Sequence, residues 1–190
     1  MKKSLIQDQT FAKIAFAEQF SYPNEFDNCQ FSGCNFASTD LSENEFNDCT
    51  FRGCDVSLAI IKNCTFRDVR FEECKLLGLH FHTCNKFLFS ASFDRCVVNL
   101  SSFYQLNLKN SSFKASSLRE VDFSECNLTQ ARFDECDLAD ALFDRTNLEK
   151  ADLRTAINFR IDPDNNRIRK ARFSVEGALS LLAKYSIDIE

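Results

Sequence analysis

The chain has 190 residues and a net charge of −5 at neutral pH, with 21 Phe, 10 Cys and no Trp. That length suits one rod-like domain with a small cap, and the acidic balance argues against direct binding of nucleic acid. No apolar run approaches the eighteen or so residues of a membrane span, and the opening MKKSLIQDQT is not followed by the apolar core of a signal peptide. No membrane contact is therefore expected, and a bacterial cytoplasmic location is.

Residues 1–23 read as an irregular lead-in, although Phe11 and Phe16 fall in phase with Phe26 and suggest an imperfect first coil. From Phe26 an apolar residue recurs at every fifth place, through Phe31, Phe36, Leu41, Phe46, Phe51, Val56, Ile61, Phe66, Phe71, Leu76 and Phe81. An α-helix turns 100° per residue, so positions five apart cannot share a face. A strand alternates every second residue, so an apolar residue at each fifth place would change faces each time. The spacing fits a chain that turns a corner every five residues. Two side chains of each block, the first and the third, point inward, and the other three face water. Four corners close a coil of about twenty residues, and successive coils stack at roughly 4.8 Å. Gly33 and Gly53 occupy matching places in consecutive coils and read as corners with positive φ.

Between Phe81 and Phe93 the phase slips by two residues within CNKFLFS, residues 84–90. Two readings stay open for this segment. Either it is a tolerated bulge with the rings of Phe87 and Phe89 folded onto the surface, or Asn85, Lys86, Phe87 and Phe89 form a protruding contact loop. The phase resumes over residues 91–153, which cut into fives read ASFDR CVVNL SSFYQ LNLKN SSFKA SSLRE VDFSE CNLTQ ARFDE CDLAD ALFDR TNLEK ADL. The central place is Phe, Leu or Val throughout. The first place is small or apolar, as at Ala91, Cys96, Ser101, Cys126, Ala131 and Cys136.

The cysteines keep to that first place, from Cys29 and Cys34 onward, and Cys34, Cys54 and Cys74 should stack in neighbouring coils. Reduced, buried thiols acting as compact fillers are expected, with a disulfide or a metal site as the alternatives. No C-x₂-C spacing supports zinc.

The coil pattern ends near residue 157, and 158–190 read as a cap. Asp162-Pro163-Asp164-Asn165-Asn166 is a turn signal, and Ile168 and Phe173 return to the five-residue phase. Ser174 is a candidate helix N-cap. Val175, Ala178, Leu179, Leu182 and Tyr185 then share one helical stripe, which Leu181 widens. The stripe could be consumed in capping the coil or could also join a second copy.

These residues resemble the pentapeptide-repeat proteins, whose consensus block is A(D/N)LXX. CDLAD, TNLEK and ADLRT are close matches, and the resemblance covers residues from about 24 to 157. It implies an all-β fold, a right-handed quadrilateral β-helix with a short C-terminal capping helix. About six and a half coils over 24–157 would span roughly 31 Å. The LLGLHF segment and the C-terminal helix running into Ser186-Ile187-Asp188-Ile189, an expected final strand, are similar to the Qnr-type and McbG-type gyrase-protection proteins. That similarity implies a homodimer joined through the C-terminal end and a DNA-mimicking surface that binds DNA gyrase or another type II topoisomerase, protecting it from quinolones or gyrase-directed toxins. No central glycine interrupts the coil and no long loop is inserted, two departures from the Qnr pattern.

Charge is uneven along the chain. Residues 81–119 carry Lys86, Arg95, Lys109, Lys114 and Arg119 against Asp94, whereas residues 120–152 are strongly acidic. Glu120, Glu125, Asp134, Glu135, Asp140 and Asp144 lie at outward places and are the candidate acidic surface for a partner's basic DNA-binding cleft. The plainer reading is that a soluble rod needs a charged surface. His80 and His82 flank Phe81 with no Ser or Cys nucleophile beside them, and a convex rod offers no cleft. No catalysis, cofactor or metal is expected. The alternative to topoisomerase binding is a generic interaction rod with an unrelated partner.

Overall fold

The computed structural model describes residues 3–16, 23–185 and 187. Its strands are three or four residues long for the most part, too short to stand alone, and each is held by the coil before and the coil after it. One face is a four-stranded parallel sheet of β1 (Ser4–Gln7), β3 (Asn24–Asp27), β5 (Glu45–Asn47) and β7 (Thr65–Arg67), in that spatial order. A second face stacks nine parallel strands. In chain order these are β2 (Thr10–Ala12), β4 (Gln30–Ser32), β6 (Thr50–Arg52), β8 (Val69–Glu72), β9 (Ala91–Asp94), β10 (Ser112–Lys114), β11 (Arg132–Asp134), β12 (Asp152–Leu153) and β13 (Arg172–Phe173). Single bridges such as Asn35↔Asp55↔Lys75↔Val97 and His80↔Ser102↔Asp122↔Leu142 complete the other two sides. The register is twenty residues, as in Phe31↔Phe51 and Phe113↔Phe133, so the result is a four-sided parallel β-solenoid.

The solenoid is longer than residues 24–157. β1 and β2 pair with β3 and β4, so residues 4–12 stack on the array in its regular register rather than as irregular chain. At the other end β13 adds to β12 through Asp152↔Arg172 and Leu153↔Phe173. Nine stacked strands give eight spacings, about 38 Å at the ladder distance. Both extensions were carried by weak repeats, Phe11 before the array and Phe173 after the turn.

The interior follows the five-residue phase. Phe26, Phe46, Phe93, Phe113, Phe123 and Phe133 are buried to 1 % exposure or less. Phenylalanines on one face stack flat through the bore, with Phe93–Phe113 and Phe113–Phe133 centroids 5.0 and 5.1 Å apart and planes within 2°. Neighbouring faces meet edge to face, as Phe113 and Phe123 do at 5.8 Å and 80°. Each such pair contributes about 0.5–1.5 kcal/mol beyond its burial. The fold is thus a column of rings, wrapped once per twenty residues.

All ten cysteines are free and buried in the first-place column. They are more than fillers. Most of the thiols can donate to the carbonyl 23 residues earlier, as Cys64 Sγ does to Leu41 O at 2.8 Å and Cys126 Sγ to Phe103 O at 2.9 Å. Hydroxyls at the same place do likewise: Thr146 Oγ1 donates to Phe123 O at 2.9 Å, and Ser101 Oγ to Leu76 O at 2.8 Å across the slip. Where the first place carries a thiol or hydroxyl, that group therefore finds an acceptor inside the column, and alanine fills it elsewhere, as at Ala131 and Ala151.

The C-terminal cap closes over the last coil. Asn166 is buried, donating from Nδ2 to Phe143 O and Asp162 O and accepting the Thr146 N–H, so the turn is stitched to the bore. Lys184 is ion-paired with Asp162 and Asp164 on that turn. α1 (Val175–Ser180) is capped as expected, with Ser174 Oγ accepting the Gly177 N–H at 2.9 Å. A Cβ at Gly177 would lie 2.9 Å from Phe159 Cζ, so the helix sits this close only because that residue has no side chain.

Candidate partner-binding surface

The outward residues of each block take their direction from the corner. The fifth place adopts φ near +55 to +60°, at Glu120, Glu125, Glu135 and Asp140 as at Leu58 and Leu100. Its N–H still bonds to the next coil, as Glu120 N does to Ala139 O and Glu125 N to Asp144 O, both within 2.9 Å. Side chains at this place are thrown off the edge of the rod.

The six candidate acids fall on three corners, not on one face. Glu120 and Asp140 are one coil apart and stack on the same corner. Glu125 and Asp144 lie one corner further along the chain, and Asp134 and Glu135 are on a third. Ion pairs divide them again. Glu125 meets Arg145 at 2.8 Å, Asp144 meets the same guanidinium at 3.1 Å, and Asp134 meets Arg132 at 2.8 Å. Glu125 is held below the usual carboxylate range by hydrogen bonds from Gln105 and then from Arg145. Glu120, Glu135 and Asp140 are exposed and have no ion pair among the described residues. The net acidity of the segment is real, but half of the candidate carboxylates are already matched to arginines.

The slip at 84–90 splits its two rings. Phe87 is 93 % exposed, whereas Phe89 is 8 % exposed and packs edge to face on Phe66, Phe81 and Phe103 at 5.7–6.3 Å. Phe89 is therefore not a contact residue, and the two rings do not both lie on the surface. The cause is the bore, which must be filled at every level. With two residues added, Phe89 takes the inward place in the file of Phe26, Phe46 and Phe66. Asn85 and Lys86 are exposed beside Phe87, and Lys86 Nζ lies 5.9 Å from the centre of the Tyr104 ring.

The C-terminal stripe faces outward. Val175, Leu179, Leu182 and Tyr185 are 77, 44, 37 and 52 % exposed, and Ala178 is exposed with them. Contact with the core is made instead by Leu181, Ile168 and Phe173. Ser186, Asp188 and Ile189 lie outside the described residues, and with them the expected final strand.

A surface that the periodicity argument passed over is the corner bearing Leu58, Gly78 and Leu100, with Ile60 beside it. Leu58, Leu100 and Ile60 are each more than half exposed. Gly78 has φ +66°, and a Cβ there would lie 2.8 Å from Leu58 Cδ2. The signal was present as leucine at an outward fifth place, in VSLAI and VVNL. His80 and His82 approach at 5.3 Å between ring centres, and His82 is lowered first by burial and then by His80. Among the described residues no three His, Cys, Asp or Glu side chains are grouped to hold a metal, and no helix is long and apolar enough to cross a membrane.

A family profile described as "Pentapeptide repeat region" matches residues 24–87 and 86–157. Among curated proteins no sequence matches the chain. The fold is similar to HetL from the cyanobacterium Nostoc sp. strain PCC 7120, a pentapeptide repeat protein involved in heterocyst differentiation regulation. The TM-score is 0.73 at 16% identity, over 92% of this chain and 88% of HetL. QnrB1, a plasmid-mediated fluoroquinolone resistance protein, aligns with a TM-score of 0.49 at 14% identity, over 97% of this chain and all of QnrB1.

Proposed function

The chain belongs to the pentapeptide-repeat family, and from that premise we propose that it works by binding rather than catalysis, with a type II topoisomerase such as DNA gyrase as its partner. The observation that carries this reading is the set of free carboxylates on the last coils. Glu120 and Asp140 stack on one corner and Glu135 projects from another, all exposed and none ion-paired among the described residues. Glu120 and Asp140, one coil apart, set two negative charges about 4.8 Å apart, near the ~3.4 Å rise between phosphates along one DNA strand. Such a spacing suits a basic DNA-binding cleft, and occupying that cleft would protect the enzyme from quinolones or gyrase-directed toxins. Two copies joined through Val175, Ala178, Leu179, Leu182 and Tyr185 would bring two acidic segments together about a two-fold axis, matching a two-fold enzyme.

The test is gyrase supercoiling with and without ciprofloxacin, using wild type and the E120Q/E135Q/D140N variant. Wild type is expected to restore supercoiling in the presence of the drug and to bind less tightly as salt rises, since exposed charges are screened within about 8 Å at physiological ionic strength. The variant should lose affinity by about tenfold or more, because none of the three side chains points inward and each meets a cation in the complex. Equal protection by the variant ends the mimicry reading. A second reading, a rod with an unrelated protein partner, is favoured by Phe87, whose ring is almost wholly in water. Loss of binding in F87A alone, with the acidic variant unaffected, would make the loop the contact.

A further inference from the structure

The two-residue slip leaves a gap in the ladder that the acidic surface does not use. Above it, β8 and β9 pair along their full length, including Arg70↔Ser92. Below it, β10 pairs with β11 from Ser112 onward. Between them β9 and β10 pair only at Phe93↔Phe113 and Asp94↔Lys114, so Ser92 and Ser112 face each other without a bridge. On the adjoining side, Asn107 bridges forward to Asn127 and to nothing in the loop before it. Beside this unbridged pair lies an open groove of about 500 Å³, the size of a small-molecule site.

Its walls are cationic and rich in donors. Arg70 and Lys109 both line it, and neither has an ion pair among the described residues. Asn107 turns its carboxamide oxygen toward Asn127 Nδ2 at 3.0 Å and the Lys109 N–H at 3.4 Å, which leaves its amide NH₂ as a donor. Ser92, Ser111 and Ser112 add hydroxyls. The one acid of the wall, Asp68, already accepts from Ser90 Oγ at 2.9 Å. The floor is apolar, formed by Val69, Phe89 and Ala91.

We propose that this groove binds a small phosphorylated molecule of about nucleotide size. A guanidinium offers the paired donors that a phosphoryl group accepts, and a lysine ammonium adds a point charge. The hydroxyl and amide donors suit the remaining oxygens, and the volume exceeds what phosphate alone would fill. A metal cation is disfavoured by the same two positive side chains. Neither Tyr104 nor Lys86 lines the groove, and the site is independent of any topoisomerase.

The full chain would be titrated calorimetrically with AMP and with adenosine at constant ionic strength. Wild type, R70Q, K109Q and the off-groove variant K75Q would be compared, each checked for native circular dichroism. AMP should bind wild type and K75Q alike, adenosine about tenfold or more weaker, and R70Q and K109Q should each weaken AMP by about tenfold. Absence of AMP binding to wild type overturns the proposal. So does adenosine binding as tightly as AMP, or K75Q weakening AMP as much as the groove variants, which would reduce the effect to diffuse charge.

Discussion

Two places in every five set the chemistry of this rod. At the fifth place the backbone is left-handed, which costs a non-glycine residue about 1–2 kcal/mol. Gly33 and Gly53 adopt it with φ +60°, but so do Arg95, Leu100 and Glu125, so glycine is a convenience and not a requirement. The inter-coil hydrogen bond from the same residue offsets the cost, and the outward side chain leaves composition loosely constrained, so only Gly33 and Gly53 signalled the rule in the sequence. At the first place the constraint is tight. Burial pushes the thiols of Cys49, Cys64, Cys126 and Cys136 up to about 12. The thiolate is the reactive form, so at neutral pH these groups should be inert. Native protein treated with DTNB at pH 8 is expected to release almost no chromophore, whereas in guanidinium all ten thiols should react. Rapid labelling of the folded protein would mean that the coils open locally.

At the scale of the element, the loop at 84–90 separates a structural ring from an exposed one. Phe89→Ala would empty a level of the bore and should cost about 3–5 kcal/mol, read as a lowered denaturation midpoint. Phe87→Ala removes a ring that touches almost nothing and should change stability by less than about 0.5 kcal/mol. Equal effects would mean that both rings pack or neither does. The slip itself was legible from the spacing of Phe81 and Phe93, because a period of five tolerates no ambiguity. Which ring turned inward was not read, because neither Phe87 nor Phe89 falls at a central place. Phe89 does lie five residues after Cys84, at a first place of the upstream phase, and Phe87 does not. The acidic candidates show a similar limit: an outward place was readable from phase, but the arginine that pairs with it can come from a residue twenty positions away, as with Glu125 and Arg145.

For the whole molecule, the two ends differ in how they meet water. The C-terminal end carries a capping turn stitched by Asn166 and clamped by Lys184, and then presents the Val175, Leu179, Leu182 and Tyr185 stripe outward. The helix alone is only six residues, about 9 Å long, and a stable interface generally buries about 1,200 Å² or more. A dimer through this stripe must therefore also use the neighbouring end of the rod, and it should be of moderate affinity and concentration-dependent. Sedimentation velocity of the native protein is expected to move from monomer to dimer across the micromolar range. L179D/L182D should remain monomeric with unchanged circular dichroism, because Leu181, Ile168 and Phe173 supply the contact with the core. If the native protein stays monomeric at high micromolar concentration, the stripe serves something other than a second copy, and the two-fold match to a topoisomerase falls with it.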